Sequence, residues 1–169
     1  MSIAASVQDY LDQEHVDYEV IFHPPSWDSA HTAQNADVPY EQLAKCVVLE
    51  DEGGYLMAVM PASHRLDVQA IDRELSRDLT LASEVELMDL FIDCELGAVP
   101  PLGQPYGIEM VIDRKLADAP DVYFEGGDHE SLIHVSGPDF RKLISDSPQR
   151  YISQPPEMTI AAAVGTPDS

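Results

Sequence analysis

The sequence is poor in basic residues and in cysteine. Nine Lys and Arg residues stand against 31 Asp and Glu residues, which gives a formal net charge of −22. A chain of this charge repels nucleic-acid phosphates over any broad face, so we expect no DNA partner and only local contact with RNA. The two cysteines, Cys46 and Cys94, are far apart and form no CxxC motif. This argues against a disulfide framework or a thiolate zinc site and favours a reducing cytoplasm.

Long apolar runs and phosphate-binding motifs are also absent. No apolar run approaches the ~18 residues that cross a bilayer, and no basic segment followed by an apolar one stands at the N-terminus. We therefore expect a soluble protein that is not exported and has no membrane partner. The sequence has no GxSxG, Walker or GxGxxG motif, so serine-nucleophile, nucleoside-triphosphate and dinucleotide chemistry have no support.

The histidines do not have the spacing of a metal site. None of the six is four residues from another, as a helical HExxH site requires. We therefore expect no metal and no other cofactor. His129 follows the glycine pair of a turn and is the better candidate for a functional site, whereas His134 lies in an apolar run typical of a core or edge position. The other histidines are His15, His23, His31 and His64.

Apolar periodicity predicts one α/β domain with a mixed sheet. The 169 residues, 44% of them hydrophobic, suffice for one core. We predict a domain over residues 1–153 and, from the prolines and weak periodicity that follow, a flexible tail over 154–169. The predicted helices cover 2–15 with Ser2 as N-cap, a short segment capped by Asp28 or Ser29, 67–75, 83–91 and 137–145; the predicted strands cover 18–22, 106–113, 121–126 and 131–136, with a hairpin over 44–62.

Lys45 is the one basic residue among the first 64. Alternation along the first hairpin strand places it on the same face as Val47 and Leu49, with Cys46 and Val48 on the other face. A lone cation on an apolar face has two interpretations. It extends from the sheet edge to water or to a carboxylate, or it points into a binding pocket.

The segment GAVPPLG, residues 97–103, combines two glycines and two adjacent prolines with no ionisable group. Glycine lets a backbone approach a ligand closely, and proline fixes φ and removes an N–H donor, so such a loop suits recognition by backbone groups. The alternative is a tight structural connection with a cis-proline. Composition alone favours the structural connection.

Six segments taken together resemble the YbaK/EbsC family, whose domain is also the editing insertion of bacterial prolyl-tRNA synthetases. They are HTAQNA, AKCVVLED, VMPASHRLD, LASEVEL, GAVPPLG and VYFEGGDHESLIHVSGPDF, and the resemblance spans about residues 1–150. It implies a mixed α/β fold with a curved central sheet. It also implies hydrolysis of mischarged aminoacyl-tRNA, commonly tRNA(Pro) carrying Ala or Cys. The implied partner is the acceptor end of the tRNA, with prolyl-tRNA synthetase or a second copy as further candidates.

The resemblance also assigns roles to residues. Lys45 matches the family's pocket lysine and is the catalytic candidate, while Cys46, where members often have Thr or Ala, faces away and is not treated as a nucleophile. Residues 97–101 match a GxxxP loop that would hold the aminoacyl ester and the terminal adenosine. The expected substrate-binding residues are His31, Gly97, Ala98, Val99, Pro100, Pro101, Gly127 and His129. The net charge keeps an alternative open: a non-catalytic module that binds a small aminoacyl compound, or adaptation of an editing enzyme to a saline cytoplasm.

Overall fold

A long hairpin forms the centre of the structure, a computed structural model that describes residues 3–26 and 28–155. Its strands are β2 (Ala44–Asp51) and β3 (Gly54–Pro61), paired antiparallel in full register. The remaining strands are β1 (Glu19–Phe22), β4 (Arg65–Leu66), β5 (Thr80–Leu81), β6 (Glu109–Asp113), β7 (Asp121–Glu125), β8 (Ser131–Ser136), β9 (Gln149–Arg150) and β10 (Ser153–Gln154). The helices are α1 (Ala5–Gln13), α2 (Ser29–Ala36), α3 (Val68–Leu75), α4 (Glu84–Leu90), α5 (Arg114–Ala117) and α6 (Gly137–Leu143), and 3₁₀ turns cover Tyr40–Gln42 and Gln104–Tyr106.

The main sheet is mixed, as predicted. Its order is β5-β2-β3-β6-β9, with antiparallel pairing of β2 to β3 and β5 and parallel pairing of β6 to β3 and β9. A second, antiparallel sheet has the order β1-β8-β7, and β4 pairs with β10. A bridge between Leu43 and Tyr123 brings the start of β2 against β7, so the two larger sheets meet at this point.

The hairpin separates two apolar clusters. Ala44 and Val48 of β2 lie in the larger cluster, and Cys46 packs against it. Leu49 and Val47 belong instead to the cluster on the opposite face. Strand alternation is thereby confirmed for β2, and the buried sheet faces hold its backbone in place.

Two elements begin three residues later than the sequence predicts, and the other predicted boundaries differ by two residues or fewer. The first helix begins at Ala5, not at residue 2, because the N–H of Ala4 donates to the carbonyl of Gly126 at 2.7 Å and holds the preceding chain along another loop. The predicted cap Ser2 lies outside the described residues. The strand predicted over 106–113 begins at Glu109, because a 3₁₀ turn and a left-handed Gly107 (φ 69°) come before it.

The C-terminal part of the described chain is paired. Gln154 lies in β10 opposite Arg65, one residue beyond the predicted domain boundary. Residues 156–169 of the predicted tail lie outside the described residues. Within residues 3–26 and 28–155 no helix has the length and apolar character needed to span a membrane.

Candidate functional site

A cavity of about 350 Å³ opens where the two larger sheets meet. Among the described residues, β5 pairs only with Leu49 and Glu50 of β2. Residues 44–47 of β2 therefore pair with β3 on one side, and their opposite edge borders the cavity. The lining residues come from β2, the loop before α2 and α2 itself, β5 and α4, the proline loop (residues 97–103) and the end of β7. They are Ser26, Asp28, Ser29, Thr32, Leu43, Ala44, Lys45, Cys46, Val47, Val48, Leu81, Ala82, Leu87, Gly97, Val99 and Glu125.

Lys45 is the only basic residue of this lining. Its side chain is partly buried, and desolvation lowers the pKa of its ammonium group. It also borders a neighbouring depression that contains Tyr40 and His64. Within the part of the chain that the structure describes, no carboxylate lies in ion-pair range of Lys45. The cation is therefore available to a ligand.

The proline loop packs on the Cys46 side of β2. The Cys46 Sγ lies 3.7 Å from the carbonyl oxygen of Val99 and 4.0 Å from that of Pro100. Val99 and Gly97 line the cavity, whereas Ala98, Pro100 and Pro101 are buried behind them. No cis peptide bond occurs in the described residues, so the bend of this loop depends on other features.

Gly97 supplies one of these features. Its φ is +88°, in the region that favours glycine, and a Cβ added there would lie 3.2 Å from Cε1 of His129. The Nε2–H of His129 donates to the carbonyl of Leu96 at 2.7 Å, and the N–H of Glu95 donates to the carbonyl of Gly127 at 2.8 Å. The turn after β7 thus holds the start of the proline loop from behind.

His31 lies in the first turn of α2, between Ser29 and Thr32, which line the cavity. Asp28 caps this helix by accepting from the backbone N–H of His31 at 2.8 Å, and its other carboxylate oxygen is 2.7 Å from His31 Nδ1. These hydrogen bonds to His31 lower the pKa of Asp28. Asp28, rather than Ser29, is therefore the cap, and it lines the cavity with its partner just outside.

Of the nine residues expected to act on the substrate, the structure brings Lys45, Gly97 and Val99 together in the cavity lining. Ala98, Pro100 and Pro101 continue the same loop. Gly127, His129 and His31 are not among the lining residues; the first two support the loop and the third pairs with Asp28. The roles of all nine in substrate binding stay predictions.

Glu125, at the end of β7, is a lining residue that the sequence analysis did not single out. Its Oε2 lies 3.5 Å from the Thr32 hydroxyl, and its Oε1 is buried without a hydrogen-bond partner. Burial raises the pKa of Glu125 to about 7; the electrostatic interaction with His129 opposes the shift and the charge of Asp128 adds to it. Val122 and Phe124 are in the core, so alternation along β7 predicts that Glu125 lies on the opposite face of the strand. Alternation does not predict which residues surround Glu125 on that face.

The Cys46 thiol is unsuited to nucleophilic chemistry. Burial raises its pKa to about 12, so the reactive thiolate is not formed near neutral pH. The interpretation that Cys46 is not a nucleophile therefore agrees with its surroundings. Across residues 3–26 and 28–155, no three His, Cys, Asp or Glu side chains are grouped as a metal ion would require.

Comparison with known proteins identifies the domain type. A family model described as the aminoacyl-tRNA editing domain matches residues 23–143. None of the curated proteins compared with the chain matches it.

Solved structures share the fold at low sequence identity. A putative trans-editing enzyme for prolyl-tRNA synthetase has a TM-score of 0.77 at 22% identity, covering 90% of this chain and 99% of its own. A hypothetical protein has a TM-score of 0.78 at 22% identity, covering 88% and 99%. A putative signal transduction protein from Marinobacter aquaeolei VT8 has a TM-score of 0.72 at 23% identity; the match covers 90% of this chain but only 31% of that protein.

Proposed function

Because the chain belongs to the aminoacyl-tRNA editing domain family, we propose that it is a metal-independent deacylase that clears mischarged tRNA. The observation that carries this proposal is the partly buried Lys45, which borders the cavity together with Gly97 and has no ion pair among the described residues. A cation in a partly desolvated site stabilises negative charge more strongly than one in water. Such a group suits the hydrolysis of an ester.

The reaction would proceed by attack of water on the carbonyl carbon of the aminoacyl ester. Negative charge develops on the carbonyl oxygen as the carbon becomes tetrahedral, and the Lys45 ammonium group stabilises it. Collapse breaks the bond to the ribose oxygen and releases the amino acid and the tRNA. The ribose hydroxyl next to the ester would accept the proton of the attacking water and pass its own proton to the departing ribose oxygen. Backbone groups of residues 97–101 would orient that water.

The amino acid would be small, and the tRNA would be tRNA(Pro) carrying Ala or Cys. Apolar side chains such as Val48, Leu81 and Leu87 line the cavity and exclude large side chains by volume. One methylene in an apolar pocket is worth only about 1–3 kcal/mol, so Ala, Cys and Ser esters should react at similar rates and Pro esters more slowly. The similarity to a putative trans-editing enzyme for prolyl-tRNA synthetase supports this tRNA, and that synthetase as a partner.

A panel of mischarged tRNAs tests the proposal. Wild-type protein should release Ala, Cys or Ser from tRNA(Pro) well above the rate in buffer, and the Lys45→Ala variant should not. Hydrolysis of none of these esters at low salt would contradict a deacylase. Preferential hydrolysis of a bulky aromatic ester would contradict selection by size.

A second candidate function is a non-catalytic module that binds a small aminoacyl compound. The charge of −22 favours it, because it leaves little basic surface for the body of a tRNA. A domain of this fold also forms about a third of a protein described as a putative signal transduction protein. Measurable binding of an aminoacyl-adenosine analogue, without hydrolysis of any mischarged tRNA, would select this function over the first.

A further inference from the structure

Glu125 is an ionisable group of the cavity whose hydrogen-bonding capacity is largely unused. Among the described residues, two buried side-chain polar atoms have no hydrogen-bond partner, Oε1 of Glu125 and Nε2 of His23. Of these two side chains, that of Glu125 lines the cavity. A buried acceptor without a donor costs about 1–3 kcal/mol, and more if it is charged, so a ligand that supplies a donor binds there favourably.

The neighbours of Glu125 do not supply this donor. The Thr32 hydroxyl donates to the carbonyl of Asp28 at 3.0 Å and lies in a hydrogen bond with Ser26 Oγ at 2.6 Å. Both partners are closer than Oε2 of Glu125 at 3.5 Å. The Asp128 carboxylate is itself an acceptor, and the backbone N–H groups of Glu130 and Ser131 donate to it. Oε1 of Glu125 therefore receives no hydrogen bond from Thr32 or Asp128, nor from any other described residue.

The surroundings define what kind of cation fits. A divalent metal ion held by protein side chains alone requires several ligands at once, and no group of three candidate ligands occurs in residues 3–26 and 28–155. A primary ammonium group carries three N–H donors, which match the Glu125 oxygens and the hydroxyls of Thr32 and Ser26. All three side chains line the cavity.

We propose that Glu125 binds the α-ammonium group of the aminoacyl ester while Lys45 faces its carbonyl oxygen. This inference rests on the proposed function for the identity of the ligand. Lys45 and Glu125 both line the cavity but do not form an ion pair with each other. An aminoacyl ester carries a carbonyl oxygen next to an ammonium group. Lys45 would meet the carbonyl oxygen, and Glu125 would meet the ammonium group. The site would thus require a free amino group as well as a small side chain.

The test uses two non-hydrolysable 3′-amide analogues of acylated adenosine, one alanyl and one propionyl, which differ only in the amino group. Calorimetry gives the dissociation constant of each analogue for the wild-type protein and for Glu125→Gln. The wild-type protein should bind the alanyl analogue about 10- to 100-fold more tightly, as expected for a hydrogen bond between charged groups. Glu125→Gln should reduce this ratio to about threefold or less, since the neutral amide attracts a cation weakly.

Glu130→Gln is the matched control. It removes the same charge on the same hairpin, from a residue that does not line the cavity. The ratio between the two analogues should keep its wild-type value in this variant. Melting curves of both variants at the pH of the binding experiment should show intact folding.

The outcomes separate this inference from the proposed function. Hydrolysis of alanyl-tRNA without a preference for the alanyl analogue, or with a preference that survives Glu125→Gln, overturns the ammonium subsite and leaves the deacylase standing. A preference that Glu125→Gln abolishes, without hydrolysis of any mischarged tRNA, supports the subsite and favours the binding module. Failure of both binding and hydrolysis overturns both.

Discussion

The imidazole of His129 holds the carbonyl of Leu96, with Nε2 and the oxygen 2.7 Å apart. His129 has a left-handed backbone (φ 65°) in the turn after β7, and Leu96 immediately precedes the glycine that starts the proline loop. Two turns far apart in sequence are joined in this way behind the cavity. The position of Gly97, and hence of the loop backbone, depends on this contact.

We predict that Gly97→Ala lowers deacylase activity, whereas a control variant with a similar loss of stability keeps its activity. The new Cβ adopts φ +88° and meets His129, so the loop shifts. The left-handed conformation alone costs about 1–2 kcal/mol of folding free energy. Gly107→Ala is the control, because its φ is +69° but a Cβ there has no neighbour within 4 Å.

Denaturant melts and kcat/KM for alanyl-tRNA(Pro) measure the two effects. Both variants should lose similar stability, and Gly97→Ala alone should lose at least about tenfold in kcat/KM, since a small misplacement of a positioning group is costly. Equal kcat/KM in the two variants would contradict a functional position of this loop.

We predict that Lys45→Ala removes activity without unfolding the protein. Loss of one group that stabilises transition-state charge typically costs about 10²- to 10³-fold in kcat. Lys45 has no ion pair among the described residues, so its removal leaves no buried carboxylate unpaired there. The exposed Lys115 provides a charge-matched control, Lys115→Ala. A loss of less than about fivefold in kcat/KM with an unchanged melting curve would contradict the role of Lys45.

We predict that the contact with tRNA involves few phosphates. Several of the nine basic residues already have partners within the protein: Arg77 pairs with Asp51 at 2.6 Å, and Arg150 with Glu74 at 3.3 Å. Each neutralised phosphate makes the slope of log K against log salt more negative by about 0.7–0.9, so two or three contacts give a slope of about −1.4 to −2.7. Binding of tRNA and of an acceptor-stem minihelix across a salt series measures this slope. A slope near −6, or a minihelix that binds far more weakly than whole tRNA, would reveal a basic surface.

We predict that Glu125→Gln stabilises the protein at alkaline pH. Folding raises the pKa of Glu125 from 4.5 to about 7, so the folded state holds the proton more tightly and this residue's contribution to stability falls as pH rises between these values. The variant should match the wild type near pH 4 and exceed its free energy of unfolding by about 1–3 kcal/mol at pH 8, allowing for partial solvent screening. Urea titrations at both pH values measure the difference.

The contribution of His134 to stability also falls as pH rises, but from a different cause. The test therefore compares Glu125→Gln with the wild type at each pH. Burial disfavours its charged form, but hydrogen bonds to Glu19 and Asp121, each 2.9 Å long, raise the pKa of His134 overall. Its stabilising contribution is full below the unfolded value of 6.5 and is lost as pH rises through the higher folded pKa. Because His134 is intact in both proteins, its contribution cancels. A difference that does not change with pH would contradict a buried Glu125.

Local features of the chain were predictable, and long-range neighbours were not. The β2–β3 hairpin and the face of Lys45 follow from alternation and an acidic glycine turn, which act within a few residues. The surroundings of Glu125 depend instead on Thr32 of α2, 93 residues away, and no periodicity records that packing. The glycine turn and the family resemblance both predict that His129 contacts the substrate, and neither indicates its carbonyl partner at Leu96, 33 residues away.

The parallel pairing of β3 with β6 has a consequence for how the protein reaches its native state. Ala58 lies opposite Val111, and Ala4 is hydrogen-bonded to Gly126. The sheet and the start of the N-terminal helix therefore cannot be completed until residues much later in the chain have been synthesised. Closing such long loops costs entropy before any contact repays it. Chains with many distant contacts fold in about milliseconds to seconds rather than microseconds. We therefore expect the first half of a nascent chain to leave the ribosome with the β2–β3 hairpin formed but the cavity unassembled.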